Sequence, residues 1–111
     1  MSLISLSSSS NNHNSKLYFS KYELNLILDC YSFGVSSGNW RDYSINFNQD
    51  EAKFCFYNHK SISPEYELIK YKKNKKNKFF YKLKNREKNK VVENIDDVIS
   101  FLRRKNIKII F

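Results

Sequence analysis

Chemistry in this chain has to come from a short inventory: two cysteines, two histidines, eleven carboxylates and a large excess of lysine. Cys30 falls on an expected helix and His59 at the end of an expected strand, with no nucleophile signature joining them. An enzyme reading needs a pocket that joins Asp42, His59 and Arg41, and no motif supplies one. The cysteines, Cys30 and Cys55, lack CxxC and CxxH spacing. With His13 in a Ser/Asn-rich tail, two His and two Cys do not make a zinc site. Two glycines, Gly34 and Gly38, cannot make a glycine-rich phosphate loop. The residues point to a non-enzymatic protein with no cofactor and no metal. Its thiols read as reduced, packed side chains in a cytoplasmic protein.

Lysine interleaved with aromatic residues is the strongest functional signal. Between Lys70 and Lys90 there are eleven basic residues and one acid, Glu87, a net charge of +10 out of +9 for the whole chain. The rest carries nine basic residues and ten acids, net −1. Tyr71, Phe79, Phe80 and Tyr81 sit among Lys70, Lys72, Lys73, Lys75, Lys76, Lys78, Lys82 and Lys84. Lysine ammonium groups neutralise phosphates, and exposed rings stack bases. The expected partner is therefore acidic, with RNA or a ribonucleoprotein the best fit. Two facts weigh against this. Alternation along a strand must turn half of these rings into a core. Lys, Asn and Ile together fill 40 of 111 positions, and their codons are rich in A and T, so base composition alone could supply the lysines. The glycines of the RRM signature are absent too.

The second singular feature is Trp40-Arg41-Asp42-Tyr43, which holds the only tryptophan. As structure, Trp40 plugs the space between the first helix and a sheet, and Arg41 or Asp42 ties down the helix's C-terminal connection. As function, Trp, Tyr and Arg anchor interfaces, so an adaptor binding a protein partner through this turn is the alternative.

The elements that must position these residues are legible. Residues 2–16 are low in complexity and rich in Ser and Asn, so 1–16 is expected to be a disordered tail and 17–111 a single α+β domain. Met1 to Ser10 has no basic n-region, which argues against a signal peptide, and no apolar run is long enough to span a membrane. Ser20-Lys21-Tyr22-Glu23 is a capping box, with Phe19 and Leu24 spaced as a hydrophobic staple. Leu24, Ile27, Leu28, Tyr31 and Val35 recur at helical spacing, with Gly34 and Gly38 as stops. Tyr43, Ile45 and Phe47, then Phe54 and Phe56, alternate as two strands of a hairpin. Tyr66–Tyr71 and Phe79–Lys84 make a second hairpin with the lysine-rich stretch at its tip, and Val91-Val92 adds a short strand. Asn94 caps a second helix with Ile95, Val98, Ile99 and Leu102 on its buried face. Asn106 closes it, and Ile107 to Phe111 reads as a last strand. The expected architecture is an antiparallel sheet of four to six strands with an N-terminal and a C-terminal helix on one face.

The stretch from Tyr18 to Leu28, followed by Gly38 to Phe47, resembles a small alphaproteobacterial family catalogued as domain of unknown function 2794. The resemblance rests on Phe19, Glu23, Leu24, Ile27, Leu28 and Tyr31, then on Gly38 and the Trp-Arg-Asp-Tyr core. Weaker matches are Pro64-Glu65-Tyr66 and Asp97 to Leu102, so the similarity covers about residues 17 to 110. Asn39 and Asn46 depart from the Glu and Asp of the family pattern, and the Lys/Asn-rich loop is richer here. The resemblance implies a compact cytosolic bacterial domain and brings no activity, cofactor or catalytic residue with it.

Overall fold

A computed structural model describes residues 15–73 and 78–107. The expected disordered tail lies outside the described residues up to residue 14. At residue 17 the chain is already tied down, because the Leu17 amide donates to the Asn48 carbonyl at 2.7 Å.

Helix α1 (Lys21–Ser36) begins where the capping box places it. Ser20 Oγ accepts from the Glu23 amide at 3.1 Å, and Glu23 Oε1 accepts from the Ser20 amide at 2.8 Å. Two orphan donors of the first turn are thereby satisfied. The buried stripe is Glu23, Ile27, Cys30 and Gly34, which is rotated from the expected one. Leu24, Leu28 and Tyr31 flank it half-buried, while Val35 is exposed.

Gly34 explains the rotation. It does not stop the helix; it lies inside it, and the Trp40 ring rests on its bare Cα. A Cβ there would lie 2.2 Å from Trp40 Cε3. Gly38 is the residue that turns the chain, at φ +81°, where an L side chain is strained. The amides of Asn39 and Trp40 then both donate to the Gly34 carbonyl, at 2.9 and 3.2 Å.

Five strands follow: β1 (Asp42–Phe47), β2 (Glu51–Tyr57), β3 (Tyr66–Lys72), β4 (Phe79–Lys84) and β5 (Asn89–Val92). They form one antiparallel meander in sequence order. Asparagines make the turns: Asn48 Oδ1 accepts the amides of Asp50 and Glu51, and Asn85 Oδ1 those of Glu87 and Lys88, at 2.8–2.9 Å. Period-two alternation separates two faces. Phe54, Phe56, Leu68, Tyr81 and Leu83 point into the core with Ile27, Val98 and Leu102 from the helices. Cys55, Ile69, Tyr71, Phe80 and Lys82 take the opposite face, which no helix covers.

Helix α2 (Ile95–Ile107) starts at Asn94, whose Oδ1 accepts the Asp96 amide at 2.9 Å. Its buried face is Ile95, Val98, Ile99 and Leu102, as the spacing predicts. Its end differs from expectation. Asn106 does not close the helix, and Ile107 is its last residue rather than the first of a strand. The physical reason is a tertiary bond: Asn106 Oδ1 accepts from Asn39 Nδ2 at 2.6 Å, while its own Nδ2 donates to the Leu102 carbonyl at 2.9 Å. The remainder of that expected strand, residues 108–111, lies outside the described residues. At the other end Tyr22 donates to Asp96 at 3.2 Å, so start meets start, end meets end, and the helices run parallel. The fold is α+β: a five-stranded antiparallel sheet with both helices on one face.

Replacing a helical glycine by alanine usually stabilises a helix by about 1 kcal/mol. At Gly34 the sign reverses. Gly34→Ala should lower the unfolding free energy by about 1–3 kcal/mol, because the methyl group collides with Trp40. Urea unfolding followed at the single tryptophan measures this.

Candidate functional site

The β3–β4 hairpin holds the aromatic and basic residues that the sequence singled out, and its register sorts them. Tyr71 pairs with Phe80, Lys70 with Tyr81 and Lys72 with Phe79. Phe79 and Tyr81 turn toward the helices. Tyr71 and Phe80 stand side by side on the uncovered face, with centroids 6.1 Å apart and planes tilted by 30°.

Ammonium groups ring this pair. Lys73 and Lys78 lie 5.6 and 5.7 Å from the Phe80 centroid, and Lys82 lies 5.7 Å from that of Tyr71. Lys84 stands on the same face, opposite Glu67. Glu67 also meets Lys53 at 3.8 Å, and Lys78 meets Glu93 at 2.9 Å; the latter pair is more than half exposed and contributes little. Between the lysines the floor is apolar. Ile69 and Cys55 are 6% and 8% exposed although no helix lies over them, so neighbouring side chains shield them. Lys75 and Lys76 lie outside the described residues.

Two of the expected polyanion ligands do not belong to this face. Lys72 sits on the helix side of the sheet, 5.6 Å from the Phe79 centroid. Lys70 is the clear correction: it is 5% exposed, and its ammonium donates to Glu23 Oε1 at 2.7 Å and to the Tyr18 carbonyl at 3.0 Å. It also lies 4.4 Å from the Phe79 centroid. The reason is alternation, since Tyr66, Leu68 and Lys70 share the inward set of β3. Tyr81 donates its hydroxyl to Glu23 Oε2, which completes a buried triad. Burial pushes the Glu23 carboxyl up, but the Lys70 ammonium, the Tyr81 hydroxyl and the Ser20 amide outweigh it and hold the carboxyl below its ordinary range. Burial, and then the bond to Glu23, push Tyr81 the other way, so it stays a neutral donor.

The Trp40 turn is mostly core. Trp40 is 2% exposed, packs 4.4 Å from Phe56 and donates its indole N–H to Glu65 Oε1 at 2.9 Å. Tyr43 stacks on Phe54 at 5.0 Å, and 41% of it remains exposed. Arg41 contributes its amide to the Tyr57 carbonyl at 2.9 Å, and Asp42 accepts from its neighbour's amide at 2.8 Å. The tie to the helices therefore falls to Asn39 and Trp40 rather than to Arg41 or Asp42. Beside the turn is a cleft of about 390 Å³, lined by Trp40, His59, Glu65, Lys105 and Asn106 among others; Asp42 and Arg41 are not part of its wall. Cys30 lies in the core, where burial pushes its thiol up to about 11. Among the described residues no group of three or more His, Cys, Asp or Glu could hold a metal.

Fold and site together define a small α+β module with one sheet face covered by helices and one face open, basic and aromatic. The chain belongs to the family described as "Protein of unknown function (DUF2794)", whose model matches residues 17–99, from the entry to α1 through all five strands into α2. Comparison with curated proteins and with solved structures gave no match.

The triad sets an acid limit on stability. A carboxyl whose pKa is lowered by folding contributes stability above its unfolded pKa, and that stability is lost as pH falls through the folded value. Glu23→Gln leaves the Lys70 charge buried without a counter-charge, so it should cost about 3–5 kcal/mol at neutral pH. The gap to the parent protein should narrow as pH falls below the ordinary glutamate range and on through the lowered folded value, where the parent's carboxyl also takes up a proton. Urea titrations at neutral and acid pH measure both.

Proposed function

We propose that this protein is a non-enzymatic binding module that holds RNA by its phosphates through the basic face of the β3–β4 hairpin. The observation that carries the reading is the clustering of Lys73, Lys78, Lys82 and Lys84 within a segment of net charge +10, in a chain whose remainder is net −1. Lys75 and Lys76 belong to the same hairpin in sequence. A protein that neutralises phosphates releases counterions, and lysine supplies the point charges for this. The burial of Trp40 favours this surface over the Trp-Arg-Asp-Tyr turn as the place where a partner docks.

The module acts in a reducing compartment, the cytoplasm. Its two free cysteines are both buried and unpaired, which suits such a compartment. Among the described residues no helix is long and apolar enough to cross a membrane.

The test is a salt series on a labelled RNA. Four to seven phosphate contacts give a log–log slope of about −3 to −5 for a single strand. Lys82→Gln with Lys84→Gln should shallow that slope by about one, whereas Lys105→Gln on α2 should leave it unchanged. Absence of binding at low salt, or affinity that does not respond to salt, rejects the proposal.

A further inference from the structure

The open face carries more than charge. On the helix side of the sheet rings stack in a cluster: Trp40 packs on Tyr31, Phe56 and Tyr66, and Phe54 on Tyr31, Tyr43 and Phe56. Tyr71 and Phe80 differ. Among the described residues each has only the other as a ring neighbour, and both stand half-buried on the face that no helix covers. Three lysines reach over these two rings. The adjoining row across the sheet is Lys53, Ile69, Lys82 and Val91, an apolar floor between cations, with Val91 52% exposed.

We infer that this face binds single-stranded RNA by stacking successive bases on Tyr71 and Phe80 while the surrounding lysines hold the phosphates; the inference rests on the RNA-binding reading above. Three arguments select a single strand. A double helix turns its bases inward and offers the rings nothing to stack on, so it can use only the lysines. A centroid separation of 6.1 Å is wider than the spacing within a base stack and suits bases splayed along an extended strand. The alternation of ring and ammonium matches a ligand that alternates flat apolar bases with phosphates. A protein surface without periodic negative charge would leave the lysine ring unmatched.

The experiment measures affinity of the full chain, by fluorescence anisotropy, for three probes with equal numbers of phosphates: a single-stranded RNA, an RNA duplex and an abasic ribose-phosphate strand. The parent protein should prefer the single strand over both others by about tenfold or more, given the usual strength of base–aromatic stacking. Tyr71→Leu with Phe80→Leu keeps apolar cover and removes the rings. It should weaken single-strand binding by about ten- to a hundredfold while leaving duplex binding and the salt slope unchanged. Tyr71→Phe with Phe80→Tyr keeps both rings and should bind like the parent. If the leucine variant does not fold, the abasic strand on the parent protein decides the question alone. Equal affinity for all three probes, with a steep salt slope, overturns stacking and leaves the phosphate-binding reading standing. Failure to bind any of them rejects that reading first, and this one with it. A single-stranded DNA of the same length, measured as a fourth probe, overturns the RNA assignment if it binds more tightly than the RNA.

Discussion

One carboxylate at the start of α1 decides which way the sheet faces. Glu23 is buried, and it receives the Ser20 amide, the Lys70 ammonium and the Tyr81 hydroxyl. Those donors come from the helix entry, from β3 and from β4, so a single side chain joins three elements. A buried carboxylate without donors would cost several kcal/mol, which means Lys70 and Tyr81 must both face inward. They are directly paired across the strands. Because a strand has period two, their neighbours Tyr71, Phe80 and Lys82 must face outward. A slip of one residue would bury Lys82 and expose Lys70, leaving Glu23 unpaired. The open aromatic face is therefore a consequence of the buried triad. What such a network secures is a unique register more than raw stability, since buried ion pairs often break even against apolar packing.

Small residues act as the second constraint. Trp40 can seal the end of the core only because Gly34 lets its ring reach the helix backbone. Asn39 and Asn106 then join the ends of the two helices. The Asn39 amide supplies the donor that Asn106 accepts; a carboxylate at that position could not donate.

Much of this was legible from sequence, because local signals and tertiary structure agree there. The capping box at Ser20, the alternating strands around Phe54 and Phe80, and the apolar face of α2 all depend on neighbours a few residues away. What escaped depends on partners far along the chain. Lys70 and Glu23 are 47 residues apart, and a lysine within a basic run reads as solvated. The signal was nevertheless present: Tyr66, Leu68 and Lys70 alternate, and the same rule that turned Tyr66 inward applied to Lys70. A glycine in sequence does not reveal whether it frees the backbone or makes room for a ring, so Gly34 reads as a helix stop although it lies inside α1 under Trp40. Helix α2 runs one residue past Asn106, a poor helix former held in place by Asn39, a contact 67 residues away.

Base composition deserves a physical answer, since it is the strongest rival explanation of the lysines. A bias toward A and T can raise the numbers of Lys and Asn, but it cannot choose their geometry. The asparagines are not idle: Asn48, Asn58, Asn85 and Asn94 each accept a backbone amide at a turn or helix start. The lysines are sorted too, with Lys70 inward and paired, and Lys73, Lys78 and Lys82 over two outward rings. Drift alone would scatter lysine over every exposed position of the sheet. On β1, away from the hairpin, the exposed polar positions are Asp42, Ser44 and Asn46. Cations also lie over Phe79, Phe101 and Phe33, so a cation above a ring is common in this chain; what sets the hairpin apart is that Lys73, Lys78 and Lys82 gather over a ring pair on the face that no helix covers.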